Sequence, residues 1–306
     1  MDNHYLNSPT SGDKLFQSLG IILRLIGFVI VGGVTATLLY SVISGIGVSG
    51  LQEIASNPSQ DTKLLLWGLQ GINQLFMFIV LPLLYIYFFN KNLAPQFLKQ
   101  KDKLGIYALM AILLIFSSIP IINLLSEFNK AIQLPDFMAG VERWMKSKEY
   151  AAEKFTDAIA YYSNNVELIY ALIIVAVLPA VGEELMFRGI MQNEFNTVFK
   201  NPHIAIWLSG FIFSFIHLQF YGFFPRMFLG VTFGYLYFWS GNLLIPILVH
   251  FLNNALTLIA INLYKQRILD VDPESAESIP AYSIIISLIF FSVLLFTFKK
   301  FKKQTP

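Results

Sequence analysis

Three stretches of this 306-residue sequence hold side chains that could do chemistry. The first is Gly182-Glu183-Glu184-Leu185-Met186-Phe187-Arg188-Gly189. The second is Phe213-Ser214-Phe215-Ile216-His217, and the third is His250-Phe251-Leu252-Asn253-Asn254. All three sit in or beside long apolar runs. A carboxylate or imidazole in such a run is costly in lipid, so it normally faces a bundle interior or a wet cavity and marks function.

Helical spacing gives each residue a role to play. Glu184 and Arg188 are four apart with the acid first, the favoured order for a helical ion pair. That pair would hold Glu184 ionised and still. Glu183 lies about 100° further round the helix and is free to face a water. Phe213 and His217 share a face, so the phenyl ring can restrain the imidazole. His250 and Asn254 also share a face, offering two hydrogen-bonding side chains about 6 Å apart along the axis. Each residue alone has a plainer reading: an interfacial acid cluster, a packed histidine, an asparagine joining two helices. The coincidence of all three stretches in one half of the chain favours chemistry. His4 and His203, in a polar tail and at a helix start, receive no role.

The elements that must position these groups follow from composition. Hydrophobic residues make up 56% of the chain, charged residues only 13%, and there are 29 Phe. Mean hydropathy is +0.61. A soluble chain of this length needs about twice that share of charge to cover its surface, so lipid is the expected solvent. The net charge of +2 and the lack of a basic stripe argue against nucleic acid as a partner. Cysteine is absent, which removes disulfides, thiolate metal sites and cysteine nucleophiles.

A bilayer core of about 30 Å needs roughly 20 apolar residues as helix. Eight runs qualify, near 17–49, 64–89, 104–124, 165–187, 203–220, 225–240, 243–264 and 281–298. The expected fold is therefore an all-α, polytopic transmembrane bundle. The first run is too long for a signal-peptide core and reads as a retained span. Residues 125–164 break the pattern. Their apolar positions Phe137, Val141, Trp144, Tyr150, Phe155 and Ile159 have helical spacing, which predicts an amphipathic helix at the interface. The organisation read from this is spans one to three over 1–124, the amphipathic segment over 125–164, a core of spans four to seven over 165–264, and a last span with a basic tail over 265–306.

Lysines set the orientation. Lys91, Lys99, Lys101 and Lys103 stand against Asp102 in one loop, and Lys299, Lys300, Lys302 and Lys303 end the chain. Arg188 and Lys200 follow span four. With eight spans all fall on one side, so both termini are expected to be cytoplasmic. Two pattern matches carry no chemistry. Gly45-Ile46-Gly47-Val48-Ser49-Gly50 lacks the strand and helix a dinucleotide site needs, and Gly230-x-x-x-Gly234 is a helix-packing motif.

The set Glu183-Glu184-x-x-Phe187-Arg188, Phe213-x-x-x-His217 and His250-x-x-x-Asn254 resembles the CPBP family, the CAAX-protease and bacteriocin-processing (Abi-type) membrane enzymes. The resemblance covers roughly 165–260. It implies an intramembrane peptidase, described for the family as a metalloprotease, acting on a membrane-tethered protein or peptide. By resemblance Glu183 is the general base and His217 orients the same water. His250 and Asn254 serve the oxyanion, an effect often worth about 3 kcal/mol per donor. Glu184 and Arg188 form the supporting pair. The alternative is zinc held by Glu183, His217 and His250 with water as the fourth ligand. The lack of a helix-local His pair tilts the reading toward glutamate-activated water. Rival classes are an ion-coupled transporter and a non-catalytic scaffold or immunity protein on the same fold.

The boundaries raise one conflict. They put Glu183 near the cytoplasmic end of span four and His217 about 21 Å into span five, where the two would not meet. The motifs take precedence. Either span five starts below the membrane plane, or the long helix holding Glu183 dips deeper than hydropathy suggests.

Overall fold

The computed structural model describes residues 11–94, 97–98, 103–270 and 280–302. Of the residues singled out above, His4, Lys99, Lys101, Asp102 and Lys303 lie outside the described residues. Ten helices are described: α1 Ser11–Ser44, α2 Val48–Ser56, α3 Lys63–Phe89, α4 Leu104–Lys130, α5 Ala139–Ala160, α6 Asn165–Phe199, α7 Pro202–Phe215, α8 Phe223–Ser240, α9 Leu244–Lys265 and α10 Ala281–Lys302. Six of them, α1, α3, α4, α6, α9 and α10, are long and apolar enough to cross a membrane. The chain is an all-α, multi-pass integral membrane protein.

Following the helices through the bundle gives it two ends. Leu243 N donates to Phe97 O at 2.7 Å, and Lys302 Nζ donates to Phe238 O at 3.1 Å, so the lysine-rich connections gather at one end. At the other end Trp67 Nε1 donates to Ile159 O at 2.9 Å, and Lys265 Nζ lies 2.6 Å from Asp157 Oδ1. These bonds fix the C-terminal part of α5 against α3 and α9. Within the amphipathic segment one helix, α5, packs at that end. Phe137 and Tyr150 remain exposed while Ile159 is buried.

Several boundaries differ from the hydropathy reading, and the differences have physical causes. The fourth span does not stop at 187 but continues as α6 to Phe199. Arg188 reads as a helix terminus in hydropathy because it is charged; here it is fully buried in mid-helix and contributes nothing to the loop charge. The fifth span does not run to 220. Helix α7 ends at Phe215 after 14 residues, about 21 Å, and Leu218 turns the chain with φ of 54°. The first span ends at Ser44, and Gly45, with φ of 70°, starts the turn into α2. Because α7 is shorter than a bilayer core, residues 216–222 run at membrane depth. Irregular backbone is tolerated there only where protein buries it or a wet cavity receives it.

Proline and glycine shape the helices around that cavity. Pro82 and Pro179 each follow a π-helical turn, Leu75–Val80 in α3 and Leu172–Val177 in α6. Proline has no N–H for the carbonyl four residues back, and the wider turn accommodates the missing bond. A third π turn, Leu185–Met191, carries Arg188, and Asn193 Nδ2 donates to Arg188 O and Gly189 O at 3.0 and 2.9 Å. Gly182 lets α6 approach α3, since a Cβ there would lie 2.7 Å from Phe78 Cβ. A Cβ on Gly230 would lie 3.1 Å from the Cα of Gly210 in α7. The Gly230-x-x-x-Gly234 pair is the packing seam between α7 and α8.

Candidate active site

The site begins with a buried ion pair. Arg188 Nη1 lies 2.7 Å from Glu184 Oε1, and neither residue has any exposed surface. Arg188 Nη2 donates to Gly230 O at 2.8 Å, and the guanidinium stands over the Phe213 and Phe233 rings at 4.8 and 5.4 Å. Close approach of α8 at Gly230 is what brings that carbonyl within reach. The pair therefore ties α6, α7 and α8 together.

The same Glu184 Oε1 accepts a bond from His250 Nδ1 at 2.8 Å. A carboxylate paired with arginine only accepts, so Nδ1 carries the proton and Nε2 is left to face outward. His250 Nε2 lies 3.9 Å from Glu183 Oε2. His217 is held in a parallel way: its Nδ1 bonds Phe213 O at 2.7 Å. A carbonyl only accepts, so this ring too presents a bare Nε2. Phe213 braces His217 edge-on, with ring centroids 5.1 Å apart, and packs against Phe187 at 5.1 Å.

Asn254 stands one turn beyond His250 on α9. Its Nδ2 donates to Val175 O at 3.4 Å. Pro179 lacks the N–H that an α-helix would supply to that carbonyl, so the proline and the asparagine are complementary. The amide keeps a second N–H.

Glu183, His217, His250 and Asn254 line one cavity of about 560 Å³. Glu184 and Arg188 lie behind its wall. The depth conflict disappears because α6 continues to Phe199, placing Glu183 near the middle of a 35-residue helix. His217 reaches the same level from the end of the short α7.

Sequence reasoning missed three groups at the cavity. Gln74 Nε2 donates to Glu183 Oε1 at 3.4 Å from α3. Arg226 lines the wall and is held by Gln219, through Nη1 to the backbone O at 3.2 Å and Nη2 to Oε1 at 2.9 Å. Glu149 of α5 accepts from Tyr221 N at 3.4 Å near the mouth, and burial pushes its carboxyl above the usual range. Gln74 and Arg226 each interrupt an apolar run, which was the available signal.

The zinc alternative can be tested on the donor set. Glu183, His217 and His250 are the right donor types, and both rings have the anchored Nδ1 common among metal-ligating histidines. Among the described residues, however, no three His, Asp or Glu side chains gather closely enough to hold one ion. This arrangement does not fit the metal, and no step is derived through it.

Residues 165–256 match the family model for type II CAAX prenyl endopeptidases, Rce1-like. The matched window contains all six site residues. Over 89 residues the chain is 32% identical to the uncharacterized protein YpbD of Bacillus subtilis (strain 168), covering 28% of this chain and 42% of that one. The chain thus spans less than half the length of that curated relative. No solved structure matches. At the level of the family, the match supports an intramembrane endopeptidase.

Proposed function

We propose that this chain is an intramembrane endopeptidase that hydrolyses a peptide bond of a membrane-associated protein or peptide with glutamate-activated water. One observation carries the reading. A carboxylate, two imidazoles fixed through Nδ1 and a primary amide all line one cavity.

The chemistry follows from where the protons are. Glu183 takes a proton from a water while the water oxygen bonds to the substrate carbonyl carbon. His217 Nε2 accepts a hydrogen bond from the water's other O–H and fixes its lone pair toward the carbonyl. Asn254 Nδ2 donates to the oxyanion of the tetrahedral intermediate. Glu183 then returns its proton to the amide nitrogen, the C–N bond breaks, and the products are a carboxylic acid and an amine. The resemblance gives His250 a share of the oxyanion. Its Nδ1 bond to Glu184 fixes the ring with Nε2 toward Glu183, beside the reacting groups.

The test compares membrane peptides from cells carrying the parent chain or Glu183→Gln. The substitution keeps the shape and the bond to Gln74 but removes the base, a loss expected to be about 100-fold or more. Peptide ends present with the parent should vanish with Glu183→Gln at equal protein levels. Identical peptide patterns would move the case to a scaffold or transporter.

A further inference from the structure

Among the described residues, the lining of the cavity leads toward one end of the bundle. Its walls run from Glu183 and His250 toward Ser126 on α4, Thr156 on α5 and Gly222 before α8. A neighbouring space of about 480 Å³ shares Ser126, Thr156, Gln219 and Gly222 with it and continues outward past Lys130 and Glu153. The opposite direction is closed. Behind the catalytic face come Glu184 and Arg188, then Phe187, Ile190 and Phe195, each no more than 1% exposed. A peptide cannot reach Glu183 through that layer.

The two ends also differ in charge. The closed end holds the unbalanced lysines. Lys103 Nζ stands 4.8 Å over the Phe301 ring, which brings the 90–103 connection beside the basic end of α10. The described residues of those two segments hold five lysines, Lys91, Lys103, Lys299, Lys300 and Lys302, and no acid. At the open end three cations are paired with acids: Lys63 with Glu167 at 2.9 Å, Lys146 with Glu142 at 2.7 Å and Lys265 with Asp157 at 2.6 Å. Dense lysine clusters beside membrane helices stay on the cytoplasmic side, where anionic lipid also holds them.

We infer that the cavity opens to the non-cytoplasmic side. On the endopeptidase reading, its substrate is then an extracytoplasmic segment of a membrane-anchored or exported peptide rather than a cytosolic tail. A chain threaded from that side passes α5 and the 216–222 segment before meeting Glu183. Its scissile bond lies within the bundle, so the cleaved segment must be unfolded and close to its membrane anchor.

Because the chain has no cysteine, single cysteines report sidedness without background. Tyr150→Cys marks the exposed face of α5, Thr156→Cys the cavity mouth and Lys300→Cys the closed end. Intact cells are treated with a membrane-impermeant maleimide, then again after permeabilisation. Tyr150→Cys and Thr156→Cys should label in intact cells, and Lys300→Cys only after permeabilisation. The inference is overturned if Tyr150→Cys needs permeabilisation, if Lys300→Cys labels in intact cells, or if Thr156→Cys stays unlabelled in both. A second arm displays a lipid-anchored, internally quenched peptide on either leaflet of vesicles holding the chain in its cellular orientation. Cleavage should follow display on the non-cytoplasmic leaflet, and cleavage confined to the other leaflet contradicts the inference. Labelling does not depend on turnover. A chain that labels as expected and cleaves nothing therefore overturns the endopeptidase reading and leaves the direction of opening standing.

Discussion

Glu184→Gln is the substitution whose outcome the geometry specifies most fully. The glutamate oxygen accepts from Arg188 and from His250, so one change acts on stability and on chemistry. Arg188 has no exposed surface. Leaving a buried cation without its anion costs about 3–5 kcal/mol. The Gly230 carbonyl and the two aromatic rings remain, but they contact Arg188 in the parent as well and do not offset the loss. A change of that size corresponds to a fall in melting temperature on the order of 10 °C. Adding Arg188→Met should recover most of it, because exchanging both members of a buried pair for neutral groups is far less costly than removing one. Activity should not recover with it, since His250 Nδ1 still lacks its anionic anchor. Thermal unfolding and peptide cleavage are measured on the same purified samples. The reasoning fails if the double variant melts no higher than Glu184→Gln, or if Glu184→Gln melts with the parent.

Two further outcomes separate chemistry from packing. Asn254→Ala removes the oxyanion donor and should lower the cleavage rate roughly 100-fold with little change in melting; a rate within a few-fold of the parent assigns the oxyanion elsewhere. Gly182→Ala forces α6 away from Phe78, where the new Cβ would lie 2.7 Å from its neighbour. It should cost about 1–3 kcal/mol by overpacking and weaken the bond from Gln74 to Glu183; unchanged unfolding would contradict the close approach.

The helices and the motif residues were legible because each is a local property. An apolar run announces a span, and an ionised group inside one is costly enough to stand out. Helix ends were less legible. Arg188 and Glu184 look like a boundary to any hydropathy measure, because such a measure assigns a full penalty to charges that in fact neutralise each other. The error in span four came from that, and with it the conflict over depth. The early end of α7 had no hydropathy signal at all: Phe215, Ile216 and Leu218 are apolar, yet Leu218 turns the chain with a positive φ. The role of His250 was hidden for another reason. Its bond to Glu184 spans 66 residues, and only that bond decides which ring nitrogen faces the cavity.

The division of labour across the chain follows from the same geometry. Every residue of the proposed chemistry falls within the segment that matches the endopeptidase family, 165–256. Much of the wall a substrate would touch does not. Gln70 and Gln74 come from α3, Ser126 from α4 and Thr156 from α5, all outside that segment. Gln74 even reaches the base itself. A reacting bond needs the same few groups whatever the peptide, whereas side-chain recognition depends on the surrounding wall. Selectivity in this protein is therefore expected to reside in α3 to α5. Exchanging wall residues such as Ser126 or Thr156 should change which peptides are cleaved, while substitutions at Glu183 or Asn254 should slow all of them alike.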